Sequence, residues 1–318
     1  YNVIYDITID LKNGYIYTAN YYGMLRRFKF YDFINESTIT EPIWEVVPLL
    51  LDNQSTADCG NYNNSNDPFL NLPVSIYGNW NHQVFSVHVK EYAENNYIWV
   101  GTAYGLNKGI IINDGPNAGC IDWLEVYDCN DCNEIENNLQ SDELGGNWII
   151  DIVSQDIGNT YPRIWLISWV RPQANPHRIT YSDDNGATWK KLNYLIEDNI
   201  RAISQNLSFD NNYLYVSTDK GLFYVNYNLD YVDMNDPNNW SKIIYNDDVY
   251  DIVQTDEVKS FLNFNEKFFI GTPSGLLEFN CSDQDPDPTL INQNKCQLEI
   301  EFEWNTEESK LSIFPNPF

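Results

Sequence analysis

Long apolar runs are missing from this chain. No stretch of its 318 residues approaches the roughly 20 apolar residues that a transmembrane helix needs, and none shows a sustained helical period. Basic residues are scarce: 18 Lys and Arg stand against 46 Asp and Glu, a formal net charge of -28. A surface this negative excludes nucleic acid and anionic membrane as natural partners, because both require cationic contacts. Solubility, a salty habitat or scattered divalent cations account for the charge in the ordinary case. No Ser-His-Asp, Cys-His, phosphate-loop or dinucleotide signature is present either.

What the chain does contain is aromatic residues, 15% of the total, together with frequent Asn, Tyr, Val and Ile, a composition that favours strands. A short cadence recurs four times: an aromatic, an apolar residue, a small pair, two spacers, then Gly and Leu or Met. It runs Tyr17–Met24, Trp99–Leu106, Tyr215–Leu222 and Phe269–Leu276. Self-similarity on this scale indicates a repeat architecture. Apolar strands precede the cadence, at Val3–Ile9, Val84–Val89, Trp148–Val153, Ile200–Ile203 and Val249–Val253. Trailing strands open on Trp44, Trp123, Trp189 and Trp240.

Four short antiparallel strands per unit describe the blade of a β-propeller, an all-β fold, with the cadence Gly at a turn that demands positive φ. Five blades are visible, at residues 1 to 48, 84 to 128, 148 to 193, 199 to 245 and 249 to 304. The propeller thus spans 1–304, and 305–318 reads as a linker followed by a separate tail. Residues 49 to 83 read as a long loop, of the kind that is functional or mobile. The chain opens at Tyr1 inside an apparent strand, which implies a removed leader or a piece of something longer.

The third unit leaves the cadence and instead carries Ser182, Asp184, Gly186, Thr188 and Trp189 in the order Ser-x-Asp-x-Gly-x-Thr-Trp. This resembles the Asp-box, a hairpin turn of sialidases, sortilin-type receptors and many secreted propellers, and the resemblance implies a fold-stabilising role. The cadence itself resembles the propeller repeat of two-component-regulator sensor domains, a repeat shared by proteins of many functions. At the chain end, Leu311–Phe318 contains Phe314, Pro315, Asn316 and Pro317 and resembles the opening of the C-terminal sorting domain of type IX secretion substrates in Bacteroidetes. That resemblance implies export by the type IX machinery and a secreted or outer-membrane cell-surface location. Without it, Pro-Asn-Pro is an ordinary closing turn.

Six cysteines, Cys59, Cys120, Cys129, Cys132, Cys281 and Cys296, suit disulfides in an oxidising compartment. Cys281 and Cys296 bracket one polar loop and form the easiest pair; the pairing of the other four stays open. Cys129 and Cys132 could also be half of a zinc site, but His82, His88 and His177 lie far off in sequence. Asp283, Asp285 and Asp287 alternate oxygen ligands as calcium loops do, yet lack the Gly and the later Glu of an EF-hand, leaving a weak calcium candidate and no other cofactor.

For catalysis, the six arginines include no arginine motif of the sialidase kind. Asp6, Asp151 and Asp251 recur on the leading strands, where they would line a propeller channel, either acting on a sugar or bonding a neighbouring blade's backbone. Tyr21, Tyr22, Tyr104 and Trp169 near blade turns would stack on sugars or pack between blades. The reading these features favour is a non-catalytic extracellular propeller that binds a protein or glycan partner at the cell surface. The alternative is a secreted, polysaccharide-degrading glycoside hydrolase using Asp6, Asp151 and Asp251.

Overall fold

The computed structural model describes residues 3–30, 44–59, 79–129, 140–141, 143–169, 178–192, 196–197, 200–201, 204–209, 213–227, 233–234, 236–243, 257–264, 267–273, 275–281 and 296–303. The chain is all-β: five four-stranded antiparallel blades of a β-propeller, with helix nearly absent. The first blade is β1 (Ile4–Asp10), β2 (Tyr15–Asn20), β3 (Met24–Lys29) and β4 (Trp44–Val46). The second is β5 (Val84–Tyr92), β6 (Asn95–Thr102), β7 (Leu106–Ile111) and β8 (Ile121–Tyr127). A short β9 (Gln140–Ser141) pairs with the outer edge of the third, which is β10 (Trp148–Gln155), β11 (Arg163–Trp169), β12 (Arg178–Ser182) and β13 (Trp189–Lys191).

A two-stranded hairpin follows, β14 (Ile196–Glu197) with β15 (Ile200–Arg201). The fourth blade is β16 (Ser204–Phe209), β17 (Tyr213–Thr218), β18 (Gly221–Asn226) and β19 (Ser241–Lys242). The fifth is β20 (Ser260–Phe264), β21 (Lys267–Thr272), β22 (Gly275–Cys281) and β23 (Cys296–Glu303). Contacts divide the chain into two compact units, one built on Tyr1–Asn175 and Thr180–Lys190, the other on Lys191–Ser312.

The cadence strand is buried on both faces, which explains why it lacks a polar alternation. On β6, Ile98 and Val100 pack against Tyr17, Ala19 and Leu25 of the first blade. Trp99, pointing the other way, packs with Ile149, Ile152, Ile164 and Leu166 of the third. In the second unit Tyr215, Leu222 and Tyr224 meet Phe261, Phe268, Ile270 and Phe279 in the same manner. Each such side chain contributes about 1.5–3 kcal/mol on burial, so the stabilisation lies between blades rather than within one.

The small residue of the cadence has a steric cause. A Cβ on Gly101 would lie 2.2 Å from Ser86 Oγ and 2.4 Å from the Ile149 carbonyl oxygen of the next blade. The threonine after it closes the turn: the hydroxyls of Thr102, Thr218 and Thr272 donate to the carbonyls of Gly105, Gly221 and Gly275. Those three glycines have φ of 137°, 115° and 155°. The first blade departs from this pattern, because its turn carries one more residue and the positive φ, 64°, falls on Met24 rather than on Gly23.

Two inner strands begin later than the apolar pattern suggests. In the fourth blade Ile200–Arg201 belongs to the hairpin, and the polar-looking Ser204–Phe209 is the inner strand. The inner strand of the fifth is Ser260–Phe264, and the Val249–Val253 segment with Asp251 lies outside the described residues. Asp283, Asp285, Asp287, Phe314, Pro315, Asn316 and Pro317 lie outside them as well.

Cys59 is disulfide-bonded to Cys120, across 61 positions of sequence. The segment ending at Cys59 is also bridged to β8, through Ala57 and Trp123, and Cys59 N donates to Asp122 Oδ1 at 2.6 Å. Cys129 is disulfide-bonded too, Cys132 lies outside the described residues, and Cys281 and Cys296 are register partners on β22 and β23. Replacing Cys59 and Cys120 together by Ala is expected to lower stability by about 2–4 kcal/mol, measured by denaturant unfolding under oxidising conditions; an unchanged midpoint would remove the structural role assigned to this bridge.

Candidate functional site

The inner strands of the first unit share one irregularity. Register shifts fall between Ile4 and Asp6, between Val84 and Ser86, and between Ile149 and Asp151. The residue skipped in each case is Tyr5, Phe85 and Ile150. A bulge leaves its extra residue unpaired and re-aims the side chain. These three side chains accordingly join one cluster, with Ala103, Trp148, Tyr21, Trp80 and Trp169. Trp148 and Trp169 are register partners at the same end of the third blade.

The rings form a continuous chain. Tyr21 lies 4.6 Å from Tyr22 and 5.3 Å from Phe85, Tyr5 lies 5.8 Å from Phe85 and 6.4 Å from Tyr21, and Phe85 lies 5.5 Å from Trp148. Phe85 and Trp148 are buried, while Tyr22 is 52% exposed. This aromatic mouth gathers Tyr21, Tyr22 and Trp169 from the sequence candidates; Tyr104 directly follows Ala103 of the same cluster. Tyr5, Phe85, Trp80 and Trp148 were not anticipated as parts of a site, and the signal for the first two is the bulge, which no local pattern encodes.

The residue after each bulge is polar, and those of the first two blades, Asp6 and Ser86, latch onto the blade that follows. Asp6 Oδ2 accepts the N–H of Val87 in the second blade at 2.8 Å, and Oδ1 accepts the N–H of Ile7 at 2.7 Å. Ser86 Oγ donates to the Ile149 carbonyl of the third blade at 3.0 Å. Asp151 Oδ1 accepts the N–H of Ile152 at 3.0 Å. Asp6 and Asp151 thus stand on first and third blades with β5 between them. Burial pushes the Asp6 carboxyl up to about 6, against the two backbone bonds that lower it. Two residues beyond Ser86 on β5, His88 Nε2 lies 2.8 Å from Ser154 Oγ, and burial, with Lys90 nearby, pushes this imidazole down to about 4, so it is neutral at pH 7.

The turn from Ser182 to Trp189 is self-contained in its bonding and gripped from outside. Ser182 Oγ donates to Asp184 Oδ1 and accepts the Gly186 N–H, both at 2.8 Å. Asp184 accepts Thr188 N at 2.8 Å and Thr188 Oγ1 at 2.6 Å. Burial alone would raise the Asp184 carboxyl, but the bonds from Thr188 and Ser182 hold it below its ordinary value. Asn185 and Gly186 take φ of 62° and 92°, and Trp189 is fully buried against Trp99 and Tyr127. From the second blade, Tyr92 OH donates to Asn185 Oδ1 at 2.7 Å and Lys108 Nζ to the Asn185 carbonyl at 2.6 Å. Lys108 lies over the rings of Trp99 and Tyr97, and its burial lowers its pKa.

Among the described residues no group of three or more His, Cys, Asp or Glu side chains could hold a metal ion. No helix among them is long and apolar enough to cross a membrane.

No protein-family profile matches the chain. No curated protein matches it. Among solved structures, it is similar to the extracellular domain assigned to a hybrid two-component system of B. thetaiotaomicron, at 15% identity and a TM-score of 0.43, over 89% of this chain and 35% of that one. A computationally designed protein is similar at 7% identity and a TM-score of 0.42, over 87% of this chain and 58% of the other. A β-propeller domain from Myceliophteria thermophila is similar at 6% identity and a TM-score of 0.44, over 96% and 74%. Likenesses this distant carry no argument about activity or partners.

Two outcomes are expected of this region. Asp184→Ala lowers unfolding free energy by about 2–3 kcal/mol, because three hydrogen bonds to a charged group that close the turn are lost, whereas Asp183→Ala, which breaks partly exposed ion pairs with Arg163 and Lys190, costs less, about 1–2 kcal/mol. Equal effects in denaturant titrations would contradict the assignment. Asp6 has a folded pKa raised above the ordinary carboxylate value, so its contribution to stability is present at low pH and is lost as pH rises from about 4 through about 6. The melting temperature of wild type relative to Asp6→Asn is therefore expected to be higher at pH 4.5 than at pH 7.5, read by thermal melts.

Proposed function

We propose that this chain is a non-catalytic, secreted or cell-surface propeller that binds a protein or glycan partner at the aromatic mouth of its first unit. The observation that carries this reading is the convergence of Tyr5, Tyr21, Tyr22, Phe85 and Trp148 from three blades. Aromatic side chains gathered at a partly exposed surface supply much contact area at little entropic cost. The Cys59–Cys120 disulfide supports an oxidising, extracellular compartment. The bonding of Ser182, Asp184, Gly186, Thr188 and Trp189 supports their reading as an Asp-box with a structural role. Export by the type IX route rests on the resemblance of the chain end, with Phe314, Pro315, Asn316 and Pro317 as its signal.

One observation favours a hydrolase instead: a carboxyl raised to about 6, as Asp6 is, suits a general acid. Yet each Asp6 oxygen already accepts a backbone N–H, which fits a latch better than a proton donor. A glycan array, a pull-down from cell-surface extract and a glycan-hydrolysis screen with the full chain separate the readings. Saturable binding without turnover, weakened about fivefold or more by Tyr21→Ala or Tyr22→Ala, is expected. Turnover that vanishes in Asp6→Asn, Asp151→Asn or Asp251→Asn would replace this reading with the hydrolase.

A further inference from the structure

The first blade covers one of its faces and leaves the other open to water. Register partners lie on the same side of a sheet, so Ile9, Ile16, Phe28 and Trp44 form one row across all four strands, and Ile7, Thr18, Arg26 and Val46 form the next. Ile7 is 60% exposed, Ile9 52% and Trp44 39%. The corresponding row of the second blade is Val89, Ile98, Gly109 and Trp123, and there Ile98 and Trp123 are buried against Tyr17, Ala19 and Leu25 of the first. A row of this composition is therefore a packing surface. An uncovered face of a repeat is ordinarily polar instead.

Charge sets the same face apart. The strands of the first blade carry three carboxylates, Asp6, Asp10 and Glu45, and all lie on the opposite face, as register partners of Ala19, Tyr15 and Arg27. Of the charged residues of these strands only Arg26 shares the open face, and it donates to the Gly23 carbonyl. The chain has a formal net charge of -28, so two copies repel each other over most approaches. A face without carboxylates is where they meet with least repulsion and with no acid to desolvate.

We infer that this face pairs two copies of the chain about a two-fold axis, with Ile7, Ile9 and Trp44 of each copy packed on the same residues of the other. Two-fold pairing needs only one self-complementary patch, and sheet faces pack by interdigitating apolar side chains. A basic partner protein would be drawn to the acidic remainder of the surface rather than to this face. Four strands about 4.8 Å apart and about seven residues long offer about 400 Å² per copy, half of what a tight complex buries, so the pair is weak, on the order of tens of micromolar. The inference makes no use of the aromatic mouth.

The test is sedimentation velocity of the full chain, from about 1 to about 300 μM at about 150 mM salt, where long-range repulsion is screened. A reversible monomer–dimer equilibrium is expected, tightened by further salt. Ile7→Asp, at an exposed strand position, is expected to weaken pairing by about tenfold or more with little change in melting temperature, and the milder Ile7→Thr by about threefold or more. Leu262→Asp, at an exposed position of the fifth blade, is expected to pair as wild type does. A monomer throughout the range overturns the inference, as does a dimer that Ile7→Asp and Ile7→Thr leave unchanged. Pairing lost in Leu262→Asp, or growth beyond dimers, overturns it in favour of a head-to-tail contact between unlike faces.

Discussion

Everything in this protein depends on the two-sided burial of the cadence strand. A strand such as β6 sends Ile98 and Val100 to one neighbouring blade and Trp99 to another, so neither face is available to water and no blade can be stable alone. The same demand explains the small residue next in line. With apolar side chains filling both gaps, the only room left for the inner strand of the next blade is where Gly101 has no Cβ, 2.4 Å from where the Ile149 carbonyl oxygen passes. The threonine hydroxyl then closes the turn on a carbonyl within it, a local bond that recurs in the second, fourth and fifth blades.

Close approach of successive inner strands has a second effect. At the start of β1, β5 and β10 the chain inserts one residue, and the extra side chain has nowhere to go within the pleat. Tyr5, Phe85 and Ile150 therefore turn out together at one end of the unit, while of the polar residues that follow them Asp6 and Ser86 satisfy backbone groups of the next blade and Asp151 the N–H of Ile152. The aromatic cluster and the inter-blade latch are two consequences of one bulge. This coupling also accounts for the unusual state of Asp6: it is held by backbone amides at a seam that strips it of water.

The third blade replaces the cadence turn with another solution to the same problem. Where Thr102 needs one hydroxyl, the turn from Ser182 to Trp189 uses a serine, an aspartate and a threonine bonded to one another and to the backbone. The larger turn protrudes far enough for Tyr92 and Lys108 of the second blade to hold it through Asn185. A lysine as buried as Lys108 keeps its place because a carbonyl, two aromatic faces and the charges of Glu125 and Asp184 surround it. The disulfide from Cys59 to Cys120 anchors the segment before it on β8, the outer strand of the second blade.

The sequence alone determined the fold class, the number of blades and the residues of the cadence and of the Ser182–Trp189 turn, because each of these is a local pattern whose spacing is set by strand and turn geometry. Tyr21, Tyr22 and Trp169 were legible for the same reason, lying next to turns that the pattern locates. Tertiary structure decided what no window of sequence contains. It placed the inner strand of the fourth blade at Ser204–Phe209, whose polar residues are tolerated because pairing with Tyr213–Thr218, rather than intrinsic hydrophobicity, selects it. It paired Cys59 with Cys120, which depends on an insertion folding back onto β8. Above all it brought Tyr5 and Phe85 to one mouth, since a bulge is a property of register between two strands and of the blade pressed against them, and neither is written in the residues on either side of it.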